Sequence, residues 1–144
     1  VSATGLVRGV GAAFGVGLVM LASIVMSMGT AYAAGIPAGC TAIQSGTGTV
    51  CVDFKSRSNT DVESFGGSFL SGTKVVRPKL VVTLSDVNNK VVMTAQQEWG
   101  NDRVSESVTR AGKSFEFPLN RVCATLYEAG EKLGMACTVI PTSS

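Results

Sequence analysis

Lys79-Leu-Val-Val-Thr-Leu-Ser85 and Lys90-Val-Val-Met-Thr-Ala-Gln-Gln-Glu-Trp99, separated by Asp86-Val-Asn-Asn89, decide the fold class of this 144-residue chain. Both runs are rich in β-branched residues, and neither carries a helical period. Asp and Asn between them tolerate the tight backbone of a hairpin turn, so the pair reads as two antiparallel strands. Upstream, Val50, Val52 and Phe54 alternate with Cys51, Asp53 and Lys55, the period-two pattern of a half-buried strand. Ser56 to Thr60 reads as a turn, and Val62 to Leu70 as a strand interrupted by a bulge at Gly66-Gly67. Downstream, Gly100-Asn101-Asp102 predicts a turn and Val104 to Val108 another alternating run. In Ser114-Phe-Glu-Phe-Pro-Leu119, Phe115 and Phe117 share one face, and Pro118 marks an edge or a strand end. Seven or eight short strands at regular spacing predict an all-β fold, an antiparallel immunoglobulin-like β-sandwich over residues 49–144.

The four cysteines sharpen this reading. Cys40, Cys51, Cys123 and Cys137 allow three pairings, and their spacing favours the two local ones. Folding Arg121 to Ile140 around Ala129-Gly130-Glu131 sets Cys123 against Cys137, Thr125 against Met135 and Tyr127 against Leu133. Cys40 and Cys51 then close a separate loop, Thr41 to Val50. Metal binding is not expected, because no Cys-x-x-Cys pair occurs and the chain has no histidine. The local spacings match no thioredoxin-type redox motif either.

The high apolar content, 45% of residues with a positive mean hydropathy, is concentrated at the N-terminus. Val10 to Met28 carries no charge and is followed by Ala31-Tyr32-Ala33, where small residues occupy the positions read by a signal peptidase. Residues 1–33 are therefore expected to be a cleaved signal peptide, and the mature protein to be secreted, without a membrane anchor. Pro37-Ala38-Gly39-Cys40 is similar to the end of a lipoprotein box. Pro37 stands where an aliphatic residue belongs, so Cys40 is read as a disulfide cysteine. Cleavage after Ala33 leaves 111 residues. Residues 34–48, uncharged and rich in Gly, Ala, Ser and Thr, are expected to form a flexible N-terminal arm tied down by the first disulfide.

The composition narrows the function classes. Without histidine, no Ser-His or Cys-His nucleophile can form, and no Ser-x-x-Lys pattern supplies another base. A formal net charge of +2 is too small, and too dispersed, for a nucleic-acid partner. Glu98, Glu106 and Glu116 fall on or near separate strands and read as solvent-facing residues rather than a glycosidase pair. Asp86-x-Asn88-Asn89 lacks the Gly and distal Glu of a calcium loop. The chain thus reads as a non-enzymatic protein with no cofactor. Its expected contact segment is the disulfide-tied arm, with Thr41, Ile43, Gln44, Thr47, Thr49 and Val50 as candidates for a protein partner. Trp99, the single tryptophan, ends a strand and is a candidate for a protein or glycan contact.

With its signal peptide, an arm holding Cys40 and Cys51, and a compact β domain closed by a Cys123–Cys137 hairpin, the chain resembles the small secreted adaptor subunit of bacterial umbrella toxin particles. In those antibacterial assemblies the adaptor bridges the repeat arms of a large toxin subunit and a lectin-bearing subunit with a degenerate trypsin-like domain. The resemblance covers architecture and size over the mature chain. It implies an adaptor in an extracellular complex, with the arm inserted in a partner's cleft and the sandwich docked on the repeats. The alternatives are a secreted protease inhibitor, whose reactive-loop cysteine arrangement is not found here, and a carbohydrate-binding module, for which aromatics at 6% are sparse.

Overall fold

The computed structural model describes residues 39–44 and 47–142. The expected signal peptide, residues 34–38 of the arm, and residues 45–46 lie outside the described residues. Eight strands follow one another: β1 (Cys40–Ala42), β2 (Gly48–Ser58), β3 (Asp61–Val75), β4 (Pro78–Asp86), β5 (Val91–Glu98), β6 (Arg103–Ala111), β7 (Leu119–Glu128) and β8 (Glu131–Val139). They form two four-stranded antiparallel sheets, β1-β2-β3-β6 and β5-β4-β7-β8, packed as a sandwich. No helix occurs among the described residues.

The hairpin read from residues 79–99 is β4–β5, with Val82 opposite Ala95 and Thr83 opposite Thr94. Its turn is fixed by Asp86, whose Oδ1 accepts the backbone N–H groups of Asn88 and Lys90, and by Asn89 at φ 62°. A short polar side chain can bond locally and tolerate that left-handed backbone, which accounts for the Asp and Asn in this segment. The period of two is carried into burial: Leu80, Val82 and Leu84 on β4 and Val122, Ala124 and Leu126 on β7 are fully buried. The opposite sheet answers with Val50, Val52, Phe65 and Phe69. Burial of each such large apolar side chain is worth roughly 1.5–3 kcal/mol relative to exposure.

Both disulfides form as the local pairings predict, Cys40–Cys51 and Cys123–Cys137. Each joins directly opposed residues on neighbouring strands of one sheet, with Cα atoms 4.0 and 4.1 Å apart. They brace the β1–β2 and β7–β8 pairs rather than linking the two sheets.

Four local expectations are corrected. Gly66-Gly67 is not a bulge, because pairing runs uninterrupted from Ser64 to Leu70 against β6. The glycines answer to space: a Cβ at Gly66 would lie 2.4 Å from the Val108 carbonyl oxygen, and one at Gly67 2.7 Å from the Ala124 Cβ. The β7–β8 turn is the two-residue Ala129-Gly130, both at positive φ, so Glu128 opposes Glu131. A register shift after Leu126 then sets Tyr127 opposite Lys132, not Leu133, while Cys123–Cys137 and Thr125–Met135 stand as read. Ser56 to Ser58 continue β2 rather than turning. Residues 115–118 form no strand. Ser114 makes a single bridge to Asp61, and Phe115 and Phe117 touch with ring centroids 5.5 Å apart in the β6–β7 connection.

Candidate functional site

Four connections gather at one end of the sandwich: the β1–β2 loop, the β3–β4 turn at Val76-Arg77, the β5–β6 turn that starts at Trp99, and the β7–β8 turn. Backbone hydrogen bonds stitch them together. Gln44 N–H donates to the Leu133 carbonyl at 2.9 Å, Trp99 N–H to Pro78, and Ala129 N–H to Val76. The Glu128 carboxylate accepts the Val76 N–H at 2.8 Å. The arm and Trp99, far apart in sequence, therefore share one end of the molecule.

Within the β1–β2 loop the candidate residues divide into anchors and exposed positions. Ile43, 2% exposed, and Val50, fully buried, belong to the core. Thr41, Gln44 and Thr47 are exposed, and Thr49 is half-buried. Three devices fix the loop: the Cys40–Cys51 disulfide, the Ile43 N–H bond to Gly48, and the Gly72 N–H bond to Thr47 at 2.6 Å. Gly48, at φ 153°, passes so close to β3 that a Cβ would lie 2.3 Å from the Leu70 carbonyl oxygen, which only glycine permits. Segment 40–44, read from composition as part of a flexible arm, is tied into the first sheet as β1 and bonded to β8. Composition could not show this, because beyond the disulfide and the β1–β2 pairing the segment is held by the burial of Ile43 and by a backbone bond to β8, distant in sequence.

Trp99 is half-buried and packs edge-on against Phe69 with centroids 6.3 Å apart, closing this end of the core. Beside it, Lys79, Val81, Gln96, Tyr127 and Gly130 line a shallow depression of about 350 Å³ on the outer face of the second sheet. The carboxylates Glu98, Glu106 and Glu116 sit on β5, on β6 and in the β6–β7 connection, and Glu106 is paired with Arg103 at 3.3 Å. Among the described residues, no group of three metal-ligating side chains comes together.

No protein-family model matches the sequence, and no curated protein is similar to it. Among solved structures, the chain is similar to the crystal structure of an endonuclease/exonuclease/phosphatase from Beutenbergia cavernae DSM 12333, at 14% identity and a TM-score of 0.37. The match covers 71% of this chain and 28% of that one, and at this level neither fold nor activity passes between them.

A cluster of paired charges lies at the other end. Lys55 and Arg57 on β2 both reach Glu63 on β3, at 2.9 and 2.8 Å, and Arg57 also approaches Asp61. The hydrogen bonds from Lys55 and then Arg57 hold the Glu63 carboxyl below its usual pKa. This ladder pins the irregular end of the β2–β3 hairpin, where the register shifts twice. The Cys40–Cys51 loop itself offers the uncharged polar side chains of Thr41, Gln44 and Thr47 on a braced backbone.

Proposed function

We propose that the protein is a secreted, non-enzymatic adaptor subunit that binds a protein partner through the end of the sandwich carrying the Cys40–Cys51 loop. The observation that supports this is the division of labour in the loop. Ile43 and the disulfide hold it, while Thr41, Gln44 and Thr47 project uncharged polar side chains to solvent. A loop ordered before it meets its partner loses less conformational freedom on binding, so more of its contact energy appears as affinity. Thr and Gln add adaptable hydrogen bonds without the desolvation cost of a buried charge. Two disulfides are compatible with an extracellular protein. The resemblance to the umbrella-particle adaptor points to the same role, with an antibacterial toxin complex as the assembly. Gentle isolation of the protein from the culture fluid of its producing organism tests the reading. Recovery in a stoichiometric complex with another protein is expected, and recovery only without one would overturn it.

A further inference from the structure

A sandwich of two open sheets has four edge strands, each with a row of backbone N–H and C=O groups turned away from its sheet, and each must be protected or used. Three of the four here are protected. β1 is only three residues long. β6 carries Arg103, Glu106 and Arg110, and Glu106 and Arg110 lie on the same side of the strand as the core-packed Val108. The Arg110 guanidinium crosses to β5 and donates to the Thr94 carbonyl at 2.6 Å, occupying that edge as well. β8 differs. From Leu133 to Thr142 it has no charge, and its exposed side chains include Met135, 43% exposed, and Val139, 68% exposed.

The direction of its backbone groups follows from the register. Cys123 and Cys137 oppose each other with Cα atoms 4.1 Å apart, the spacing of a non-hydrogen-bonded pair, so the N–H and C=O of Cys137 point away from β7. Met135 and Val139, two residues to either side, point the same way. Leu133 is also in phase, and its outward carbonyl is filled by Gln44 N–H, while the alternate residue Ile140 turns inward to donate to Asn120. No backbone partner for the outward groups of Met135, Cys137 and Val139 occurs among the described residues.

We infer that β8 pairs with β8 of a second copy, antiparallel across a two-fold axis at Cys137, joining two four-stranded sheets into one of eight strands. Only this register uses every outward group. Cys137 then exchanges bonds with its own copy, and Met135 with Val139 of the other chain. Shifting the axis by one residue toward the N-terminus spends Val139 on Leu133, whose carbonyl is already taken. Shifting it by one toward the C-terminus opposes Met135 to Pro141, which has no N–H. A two-fold axis brings any charge close to it near its own copy, and the uncharged stretch from Leu133 to Thr142 around Cys137 avoids that repulsion. The side chains brought together, Met135 against Val139, are the two exposed apolar ones. One strand edge is a small interface, so the dimer belongs with weak, concentration-dependent associations. The inference goes beyond the proposed function. It is read on the purified protein with no partner present, so its failure and that of the adaptor reading are distinguishable.

Sedimentation equilibrium over a concentration series, combined with charge substitutions, tests it. The oxidised wild-type chain is expected to dimerise reversibly in the range of about 10–500 µM. Met135→Lys alone and Val139→Glu alone each weaken the dimer at least about tenfold. The double variant restores it, because each Lys then faces a Glu of the other copy. Within one chain the two positions are four strand residues apart, so restoration reports the intermolecular register rather than a local ion pair. Both side chains are exposed, and unchanged melting of the single variants confirms folding. Amide exchange at Met135, Cys137 and Val139 is expected to slow as concentration rises. A wild-type monomer throughout the series, or single variants that dimerise like wild type, or a double variant no better than the singles, would overturn the inference.

Discussion

Ile43→Ala separates a loop anchored in the core from a loop that only rests on the surface. Ile43 is 2% exposed and lies against Gly48, Gly134 and Val50. Truncation to Ala removes three carbons, worth about 2.4 kcal/mol at ~0.8 kcal/mol for each buried methylene. The space left is hard to fill: two of its neighbours are glycines with no side chain to move in, and Val50 is held in the β2–β3 ladder. A residual cavity adds to the cost, so the expected loss is about 3 kcal/mol. Urea unfolding under non-reducing conditions measures it, with the m-value unchanged if the compactness of the two states is unchanged. Amide exchange at Gln44 and Gly72, whose N–H groups bond to Leu133 and Thr47, should accelerate along with it. The sequence offered Ile43 as a partner contact, and an exposed contact residue would lose less than about 0.5 kcal/mol. A loss that small, with exchange at Gln44 and Gly72 unaltered, would refute the anchoring role and with it the account of why the loop is ordered.

Three further outcomes are expected. Ala129 holds φ 47° in the β7–β8 turn, so Ala129→Asn, which creates the Asn-Gly preferred at such a turn, should stabilise by about 0.5–1 kcal/mol in thermal or urea unfolding. Gly67→Ala should destabilise by about 1–3 kcal/mol, because its Cβ meets Ala124 and the Cys51 carbonyl, while Gly100→Ala, with nothing near its Cβ, should be neutral within about 0.5 kcal/mol. Glu63 is held below its usual pKa by Lys55 and Arg57, so its contribution is complete above the unfolded carboxyl range and lost as pH falls through the lower folded value. The stability difference between wild type and Glu63→Gln should therefore shrink as pH falls through that range, and a constant difference would argue against the ladder.

What the sequence disclosed, and what it did not, follows from the range of the forces involved. The β4–β5 hairpin was legible because its period of two and its Asp86-Asn89 turn act within a few residues. The two disulfides were legible because Cys123 and Cys137 lie at similar distances to either side of one turn, and Cys40 and Cys51 close a local loop. Gly66-Gly67 looked like an interruption because a glycine pair is locally permissive. Its cause is the close approach of β6 and β7, a contact between segments distant in the chain. Tyr127 was placed one residue out because a bulge after Leu126 leaves no mark in an alternating pattern. At the candidate site, composition offered Thr41, Gln44, Thr47, Ile43 and Val50 alike, because the burial of Ile43 and Val50 depends on β8, whose Gly134 both side chains approach. The gathering of Trp99 with the loop at one end is a property of the strand order and could not be read from spacing.

The adaptor reading stands most directly on one comparison: isolation of the wild-type protein from the producing organism's culture fluid beside a Gln44→Arg/Thr47→Arg variant of matched stability. Both side chains are exposed, so the variant should fold normally while placing two charges in the contact. The account predicts a stoichiometric protein partner with the wild type and its loss with the variant. Wild-type protein recovered without a partner, or a partner retained equally by the variant, would contradict it.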